Sequence, residues 1–168
     1  MNLDSSMTEI VKVFSNDGVT FALAGGFAFS IHIIPRATTD IDFVIFTDNS
    51  LKQIELSLEK VFHDIIRHSK PIKAGEFDVW RFVGINSEET TIDILIPVDP
   101  EFSRNAADRI TYIDYKDSSI PVLSIEDIYI MKKKSARLQD MHDCKMIEEV
   151  RGESLDWKYI REHTDRTR

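Results

Sequence analysis

The sequence lacks the features that mark secreted and membrane-embedded proteins. Among its 168 residues Cys144 is the only cysteine, so no disulfide can form within the chain, which suits a reducing cytoplasm. No apolar run approaches the roughly 20 residues that a membrane helix needs. The opening stretch, MNLDSSMTEI, lacks the basic and apolar regions of a signal peptide. We therefore expect a cytoplasmic protein that makes no membrane contact.

An excess of positive charge is also missing. The formal net charge is −8 at pH 7, whereas nonspecific binding to long nucleic acids needs a broad basic surface. We therefore expect no long duplex nucleic acid as a partner, although a small basic groove is compatible with this charge. The tightest basic cluster is KKKSAR, from Lys132 to Arg137.

The apolar patterns of the first half alternate between helix and strand. A helix is predicted over residues 4–16, a buried strand over VTFALAG and a short helix over GGFAFSIHII, ended by Pro35. A strand follows over DIDFVIF. The segment NSLKQIELSLEKVFHDII, residues 49–66, has the pattern of an amphipathic helix with Asn49 or Ser50 as its cap.

The second half predicts a hairpin followed by helices. FDVWRFVG and TTIDILIP are two strands around the polar turn INSEE, and ITYIDY is a further candidate strand. Helices are predicted over SIEDIYIMKKK, over LQDMHDCKMIEEV and from near Ser154. We expect an α/β (α+β) fold with a mixed sheet flanked by helices, in one domain over residues 1–168. Its sheet core covers about residues 1–122, and a C-terminal helical annex covers about residues 123–168.

Two aspartates stand two residues apart in the strand DIDFVIF. Side chains alternate faces along a strand, so Asp40 and Asp42 point the same way while Ile41 points into the core. Two such charges, about 7 Å apart, repel each other unless a cation lies between them. Mg²⁺ suits this position, because it prefers hard oxygen ligands and binds carboxylates together with substrate phosphates.

A third acid, Asp93, lies in the apolar strand TTIDILIP. A lone charge in a buried strand is costly unless it is paired or binds a metal. If the hairpin pairs beside DIDFVIF, Asp93 joins Asp40 and Asp42, and three carboxylates would hold two metal ions about 4 Å apart. The alternative is that all three acids form the solvated side of half-exposed strands.

Gly25 and Gly26 lie between a predicted strand and a predicted helix. Without side chains they let a phosphate chain approach the backbone, at the positive end of the helix that follows. The alternative is a tight strand-to-helix turn. Because the acidic strand follows at once, a phosphate site and metal ligands would be neighbours.

The stretch AGGFAFSIHIIPRATTDIDFVI resembles the signature of the nucleotidyltransferase superfamily with the DNA polymerase β-type fold. That signature has a glycine pair, a spacer, Asp-x-Asp between apolar residues, and a third aspartate on a later strand. The matching residues are Gly25, Gly26, Asp40, Asp42 and Asp93. The segment PRATTDID is most similar to the version in small bacterial members, which include abortive-infection-type toxins.

A second segment, IMKKKSARLQDMHD, is similar to a lysine helix followed by Arg-x-x-Asp-x-x-Asp in those relatives. Its matching residues are Lys132, Arg137, Asp140 and Asp143. We predict that the two aspartates hold Lys132 and Arg137 in place through ion pairs. The segment just before it, YKDSSIPVLSIEDI, is similar to a segment of small lincosamide nucleotidyltransferases. Taken together, the similar segments cover roughly residues 20–150.

The resemblance implies an enzyme that moves a nucleoside monophosphate from an NTP to an acceptor hydroxyl and releases pyrophosphate. Two Mg²⁺ ions would be bound by Asp40 and Asp42, with Asp93 as a third ligand or as the base that activates the hydroxyl. Gly25 and Gly26 would hold the β- and γ-phosphates.

Four further residues are candidates for nucleotide binding. Ser30 would lie near the glycine turn, and Lys132 would supply a cation for the triphosphate. Arg36 and Thr38 would steady the triphosphate, or else Arg36 is a solvated loop residue and Thr38 a turn hydroxyl.

The resemblance leaves the acceptor open: RNA such as tRNA, a protein, or a small molecule such as an aminoglycoside or lincosamide. An antitoxin protein is a further expected partner. The competing hypothesis is a member of the same fold that has no activity and works by binding a protein partner. The presence of all three acids favours the enzyme.

Overall fold

The computed structural model describes residues 2–46, 51–135 and 137–165. The helices in these ranges are α1 Leu3–Asn16, α2 Gly25–His32, α3 Leu51–Leu58, α4 Pro100–Asp108, α5 Ile125–Ser135, α6 Leu138–Arg151 and α7 Trp157–Thr164. The strands are β1 Phe21–Leu23, β2 Asp40–Ile45, β3 Asp64–Arg67, β4 Ile72–Ala74, β5 Phe77–Ile85, β6 Glu89–Pro97, β7 Thr111–Tyr115 and β8 Ser118–Val122. None of the helices in these ranges is long and apolar enough to cross a membrane.

The strands form one mixed sheet in the order β3-β5-β6-β2-β1-β8-β7, and β4 pairs with β5 beside β3. β2 runs parallel to β6, and β1 runs parallel to β8, while the other pairs are antiparallel. The predicted mixed sheet flanked by helices is therefore confirmed.

The alternation of β2 separates an apolar face from an acidic one. Ile41 and Phe43 are fully buried, while Asp40 and Asp42, on the opposite face, are half-buried. The Phe43 ring packs edge-on against Phe14 of α1 and Phe21 of β1, with ring centroids 5.4 and 5.6 Å away. Each buried ring stabilises the fold by roughly 2–3 kcal/mol, so this core fixes which face of β2 carries the acids.

The predicted helix over residues 49–66 is wrong in its second half. Helix α3 ends at Leu58, and residues 64–67 form the edge strand β3. Ile65 and Ile66 are β-branched, and the backbone of this segment pairs with β5 from Phe82 to Ile85. The pairing with β5 outweighs the helical spacing of the apolar residues. The predicted caps, Asn49 and Ser50, lie outside the described residues.

Helix α4 is absent from the sequence-based assignment, although its start signal is present. Asp99 caps it by accepting a hydrogen bond from the Glu101 N–H at 2.9 Å, and Pro100 occupies the first turn. An aspartate followed by proline is a common start for a helix. The helix buries Phe102 against Phe77 of β5, with ring centroids 5.8 Å apart.

Candidate active site

The parallel pairing of β2 with β6 brings the three acids together. Asp42 lies directly opposite Asp93 in the register, and Asp40 lies opposite Thr91. Oxygen atoms from Asp40, Asp42 and Asp93 all lie within 4.8 Å of one another. Carboxylate oxygens at this spacing are suitable ligands for a divalent cation.

Asp42 is the acid of this cluster whose pKa is raised. Burial, and then the charges of Asp40 and Asp93, raise the pKa of Asp42 to about 7, although Lys132 and Arg137 partly oppose the rise. A raised pKa means that the site favours the gain of positive charge at neutral pH. A proton or a metal ion would supply that charge.

The glycine pair makes room for the acidic strand. Gly25 has a φ of +58°, and a Cβ atom placed there would lie 1.8 Å from Oδ2 of Asp42. A Cβ on Gly26 would lie 2.6 Å from Oγ1 of Thr38. The N–H of Ala24 also donates to the Asp42 carbonyl at 2.8 Å. The turn and the acidic strand therefore fit together only because two side chains are missing.

The same turn begins α2, so the Asp42 carboxylate lies beside a helix N-terminus. The first N–H groups of a helix have no partner within the helix, and they carry part of its positive dipole. Helix starts of this kind bind phosphate and carboxylate groups.

Ser30 and Thr38 hold the loop between α2 and β2. The Ser30 hydroxyl donates to the Gly26 carbonyl at 2.8 Å and accepts from the Arg36 N–H at 3.2 Å. The Thr38 hydroxyl lies 3.3 Å from Oδ1 of Asp40 and 3.2 Å from its carbonyl. Both hydroxyls thus fix the positions of the glycine turn and the first acid.

Arg36 is an anchored residue, and the solvated alternative is wrong. Its Nη1 donates to both carboxylate oxygens of Asp143 at 2.8 Å. The guanidinium also lies 4.6 Å from the centre of the Phe29 ring. Because Asp143 belongs to α6, this contact ties the loop before β2 to the C-terminal helices.

Asp140 and Asp143 form the ion pairs that were predicted for them. Lys132 Nζ donates to Asp143 at 2.6 Å and to Asp140 at 3.2 Å, and Arg137 Nε donates to Asp140 at 2.7 Å. Burial would raise the pKa of Asp140, but hydrogen bonds from Ser135 and Arg137 and the charge of Lys132 lower it. The two aspartates hold Lys132 and Arg137 beside the acid cluster.

These buried acids change the inward face of α6. The spacing of Leu138, Met141, Ile147 and Val150 predicts this helix, but of these four only Ile147 is buried, and the exposed fractions of Leu138 and Met141 are 87% and 57%. Asp140, Asp143 and Cys144 are buried together with Ile147. The ion pairs with α5, rather than the apolar residues, decide which face of α6 turns inward.

One charged neighbour of the acids was missed in the sequence. Arg81 of β5 lies directly opposite Asp93, donating from Nε to Oδ1 at 2.8 Å and from Nη2 to Oδ2 at 2.6 Å. The hydrogen bonds from Arg81 to Asp93 raise the pKa of this arginine. Counting outward from the predicted INSEE turn would have placed Arg81 and Asp93 on the same face of the hairpin.

The fold is shared with several solved structures, some of which are nucleotidyltransferases. ANT(2'')-Ia in complex with adenylyl-2''-tobramycin gives a TM-score of 0.65 at 10% identity, covering 96% of this chain and 94% of that one. JHP933 from Helicobacter pylori gives 0.57 at 18% identity, covering 94% of this chain and 69% of that one.

A third similar structure is MenT4, a nucleotidyltransferase toxin from Mycobacterium tuberculosis H37Rv. Its TM-score is 0.56 at 14% identity, and the match covers 96% of this chain but only 62% of that one. At such identities the likenesses to solved structures show the fold alone. No curated protein matches the sequence significantly.

The sequence itself shows the family. Residues 10–167 match the family model described as "Nucleotidyl transferase AbiEii toxin, Type IV TA system". This range includes the glycine turn, the three acids and the ion pairs of α5 and α6. The chain therefore belongs to the AbiEii family of toxin nucleotidyltransferases and is itself a nucleotidyltransferase.

Proposed function

We propose that the chain moves a nucleoside monophosphate from an NTP to an acceptor hydroxyl and releases pyrophosphate. The main observation in support is the cluster of Asp40, Asp42 and Asp93, whose carboxylate oxygens lie within 4.8 Å of one another. The cluster adjoins the start of α2, and Lys132 and Arg36 lie over the ring of Phe29 on the same helix. Metal ligands, phosphate donors and cations are the parts that nucleotidyl transfer requires.

The donor set fits Mg²⁺. All three groups are hard oxygen ligands. Burial, and then the charges of Asp40 and Asp93, raise the pKa of Asp42, and a divalent cation would offset both effects. We propose that Asp40, Asp42 and Asp93 together hold the two Mg²⁺ ions expected with a bound NTP. Bound Mg²⁺ would neutralise the phosphate charge and align the reacting phosphate.

The chain's own residues would bind and orient the triphosphate. The N–H groups at the start of α2, from Gly25 and Gly26, would donate to the β- and γ-phosphate oxygens. Ser30 and Thr38 would act through the turn and Asp40, whose positions their hydroxyls fix.

Lys132 and Arg36 would face the negative charge of the nucleotide. Asp143 holds both cations, and the charge of Lys132 reaches Asp42 strongly enough to oppose the rise in its pKa. We propose that the two residues, which both lie over the Phe29 ring of α2, stabilise the triphosphate next to the glycine turn.

The transfer step follows from this placement. The acceptor oxygen forms a bond to the α-phosphorus, and the bond from that phosphorus to the oxygen bridging the β-phosphate breaks. The electron pair leaves with pyrophosphate, and the hydroxyl proton passes to a base. The role of Asp93, as a metal ligand or as this base, stays a prediction. Its position beside Asp40 and Asp42 supports the role of metal ligand.

The acceptor class is part of the proposal. Membership in a toxin family favours a component of the cell itself, RNA such as tRNA or a protein, together with an antitoxin as the controlling partner. The adenylyl-tobramycin bound to ANT(2'')-Ia makes an aminoglycoside the alternative acceptor.

The test is to incubate the protein with each labelled NTP, Mg²⁺ and a cell extract, with and without added aminoglycoside. We expect label in RNA or protein, and label in the antibiotic alone would replace the toxin proposal with a resistance enzyme. If neither transfer nor Mg–NTP binding occurs, the activity proposal fails and a role in protein binding is favoured. Asp114→Asn, at an exposed site on the distant strand β7, is the matched control for the site variants.

A further inference from the structure

Arg81 is the cation in most direct contact with the acid cluster. It lies on β5, outside both segments that resemble the nucleotidyltransferase motifs. Its guanidinium binds both oxygens of Asp93 at 2.8 and 2.6 Å. A two-pronged contact of this kind is among the stronger ion pairs in proteins, and it directs the arginine charge at a proposed metal ligand.

The two partners differ in their freedom to move. The Asp93 side chain is 8% exposed, while the Arg81 side chain is 36% exposed. A long arginine stem can keep its place on the sheet while the charged end turns toward water. Asp93 cannot turn toward water in this way, because its side chain is short and β6, which carries it, is flanked by β5 and β2. Any rearrangement of this pair therefore moves the arginine.

We propose that Arg81 and the divalent cation compete for Asp93, so that Arg81 limits the metal affinity of the site. The inference rests on the proposed role of Asp40, Asp42 and Asp93 as metal ligands. Metal binding at Asp93 weakens the ion pair, and the arginine charge repels the incoming cation. A unit charge within several ångströms of a divalent ion is expected to weaken its binding by roughly tenfold, even when screened as in water.

The test is calorimetric titration with Mn²⁺ alone, using the full chain and the variant Arg81→Gln. We expect the variant to bind Mn²⁺ roughly tenfold more tightly, and to show a larger rise in melting temperature on Mn²⁺ addition than the unmodified protein. Equal or weaker binding overturns the inference, because it would mean that Arg81 only orients Asp93 for the metal.

Arg67→Gln is the matched control. Arg67 lies on the neighbouring strand β3, and its guanidinium stacks 5.5 Å from the centre of the Trp80 ring. Trp80 precedes Arg81 and faces the other side of the sheet. The control removes the same charge from the opposite face, so its Mn²⁺ affinity should stay unchanged. An equal gain in Arg67→Gln would mean that net charge alone sets the affinity, which also overturns the inference.

Two further variants complete the design. Arg81→Lys keeps the charge without the two-pronged contact, and we expect tighter Mn²⁺ binding than in the unmodified protein but weaker binding than in Arg81→Gln. This variant decides the matter if Arg81→Gln does not fold. Asp42→Asn tests the metal site itself: Mn²⁺ binding that survives in this variant contradicts the proposed function. Loss of binding there, with no gain in Arg81→Gln, overturns only the role of Arg81.

Discussion

Asp42 is costly to the fold, and it is one of the three residues that we propose as metal ligands. Its carboxylate is pressed against the bare backbone of Gly25 and lies close to two other acids. Burial, and then the charges of these two acids, raise the pKa of Asp42 to about 7. Such strained groups concentrate at functional sites.

Asp42→Asn should abolish transfer, with a loss of at least about 100-fold, while the melting temperature stays unchanged or rises. The substitution removes a metal ligand and a repelling charge at once. Labelled-NTP transfer and thermal unfolding measure the two effects. A large drop in melting temperature, absent from Asp114→Asn, would mark Asp42 as structural.

The pH dependence of stability follows from the same pKa. Between pH 3.8 and about 7 the folded protein keeps a proton on Asp42 that the unfolded chain has released. This contribution to stability is complete below pH 3.8 and is lost as the pH rises through about 7. The melting temperature of Asp42→Asn, relative to the unmodified protein, should therefore increase from about pH 5 to 7 and then level off. Thermal unfolding in chelator-containing buffers measures this difference in melting temperature. A difference that does not change with pH would contradict the assigned pKa.

Gly25 and Gly75 provide a matched pair for the glycine turn. Both have a φ of +58°, but a Cβ on Gly75 meets nothing within 4 Å. Alanine at either site should cost about 1–2 kcal/mol of stability for the left-handed backbone. Gly25→Ala should cost more, and it alone should lose transfer, because its Cβ displaces Asp42. Equal effects in the two variants would mean that the contact with Asp42 is unimportant.

The site residues differ in how far their positions could be predicted from the sequence. The shared face of Asp40 and Asp42 could be predicted from alternation along a strand. The position of Asp93 beside them could be predicted only on the condition that β6 pairs with β2. Arg81 could not be assigned by type, because an arginine on a half-buried strand is usually solvated. Its pairing with Asp93 follows only when the hairpin register is counted outward from the predicted turn.

At the scale of elements, α6 acts as a clamp on the site. Its Asp143 binds Arg36 from the loop before β2 and Lys132 from α5. One buried carboxylate therefore fixes three segments of the chain around the acid cluster.

Asp143→Asn should reduce the free energy of unfolding by about 3–5 kcal/mol, because it leaves Arg36 without its carboxylate partner and Lys132 with only the longer contact to Asp140. Transfer should fall as well, since Arg36 and Lys132 lose their positions. Lys12→Ala is the control: it breaks the half-exposed pair with Glu9 on α1, and it should cost less than about 1 kcal/mol. Chemical denaturation compares the variants, and similar small losses would contradict the clamp.

The elements were predictable where local pattern and tertiary contacts agree. The strand β2 and the hairpin of β5 and β6 satisfy both requirements. The segment Asp64–Arg67 has a helical pattern but pairs with β5, and tertiary pairing outweighs propensity there. In α6 the spacing of apolar residues predicts the helix, yet buried ion pairs choose its inward face.

At the scale of the whole molecule, the sheet order turns three distant segments into one site. β2 lies between β1 and β6, so the glycine turn after β1 and Asp93 on β6 flank the same two acids. The mixed sheet was predictable from the order of elements. The parallel register of β2 with β6 was not, because it is set by packing across the whole core. The division near residue 122 into a sheet core and a helical annex stays a prediction.

The most direct test of the central claim is a crystal structure with Mn²⁺ and a non-hydrolysable NTP analogue, using the anomalous signal of the metal. We expect two peaks within about 2.5 Å of oxygens from Asp40, Asp42 and Asp93. The triphosphate should lie at the start of α2. Well-ordered nucleotide bound elsewhere, or metal peaks away from these three carboxylates, would contradict the account.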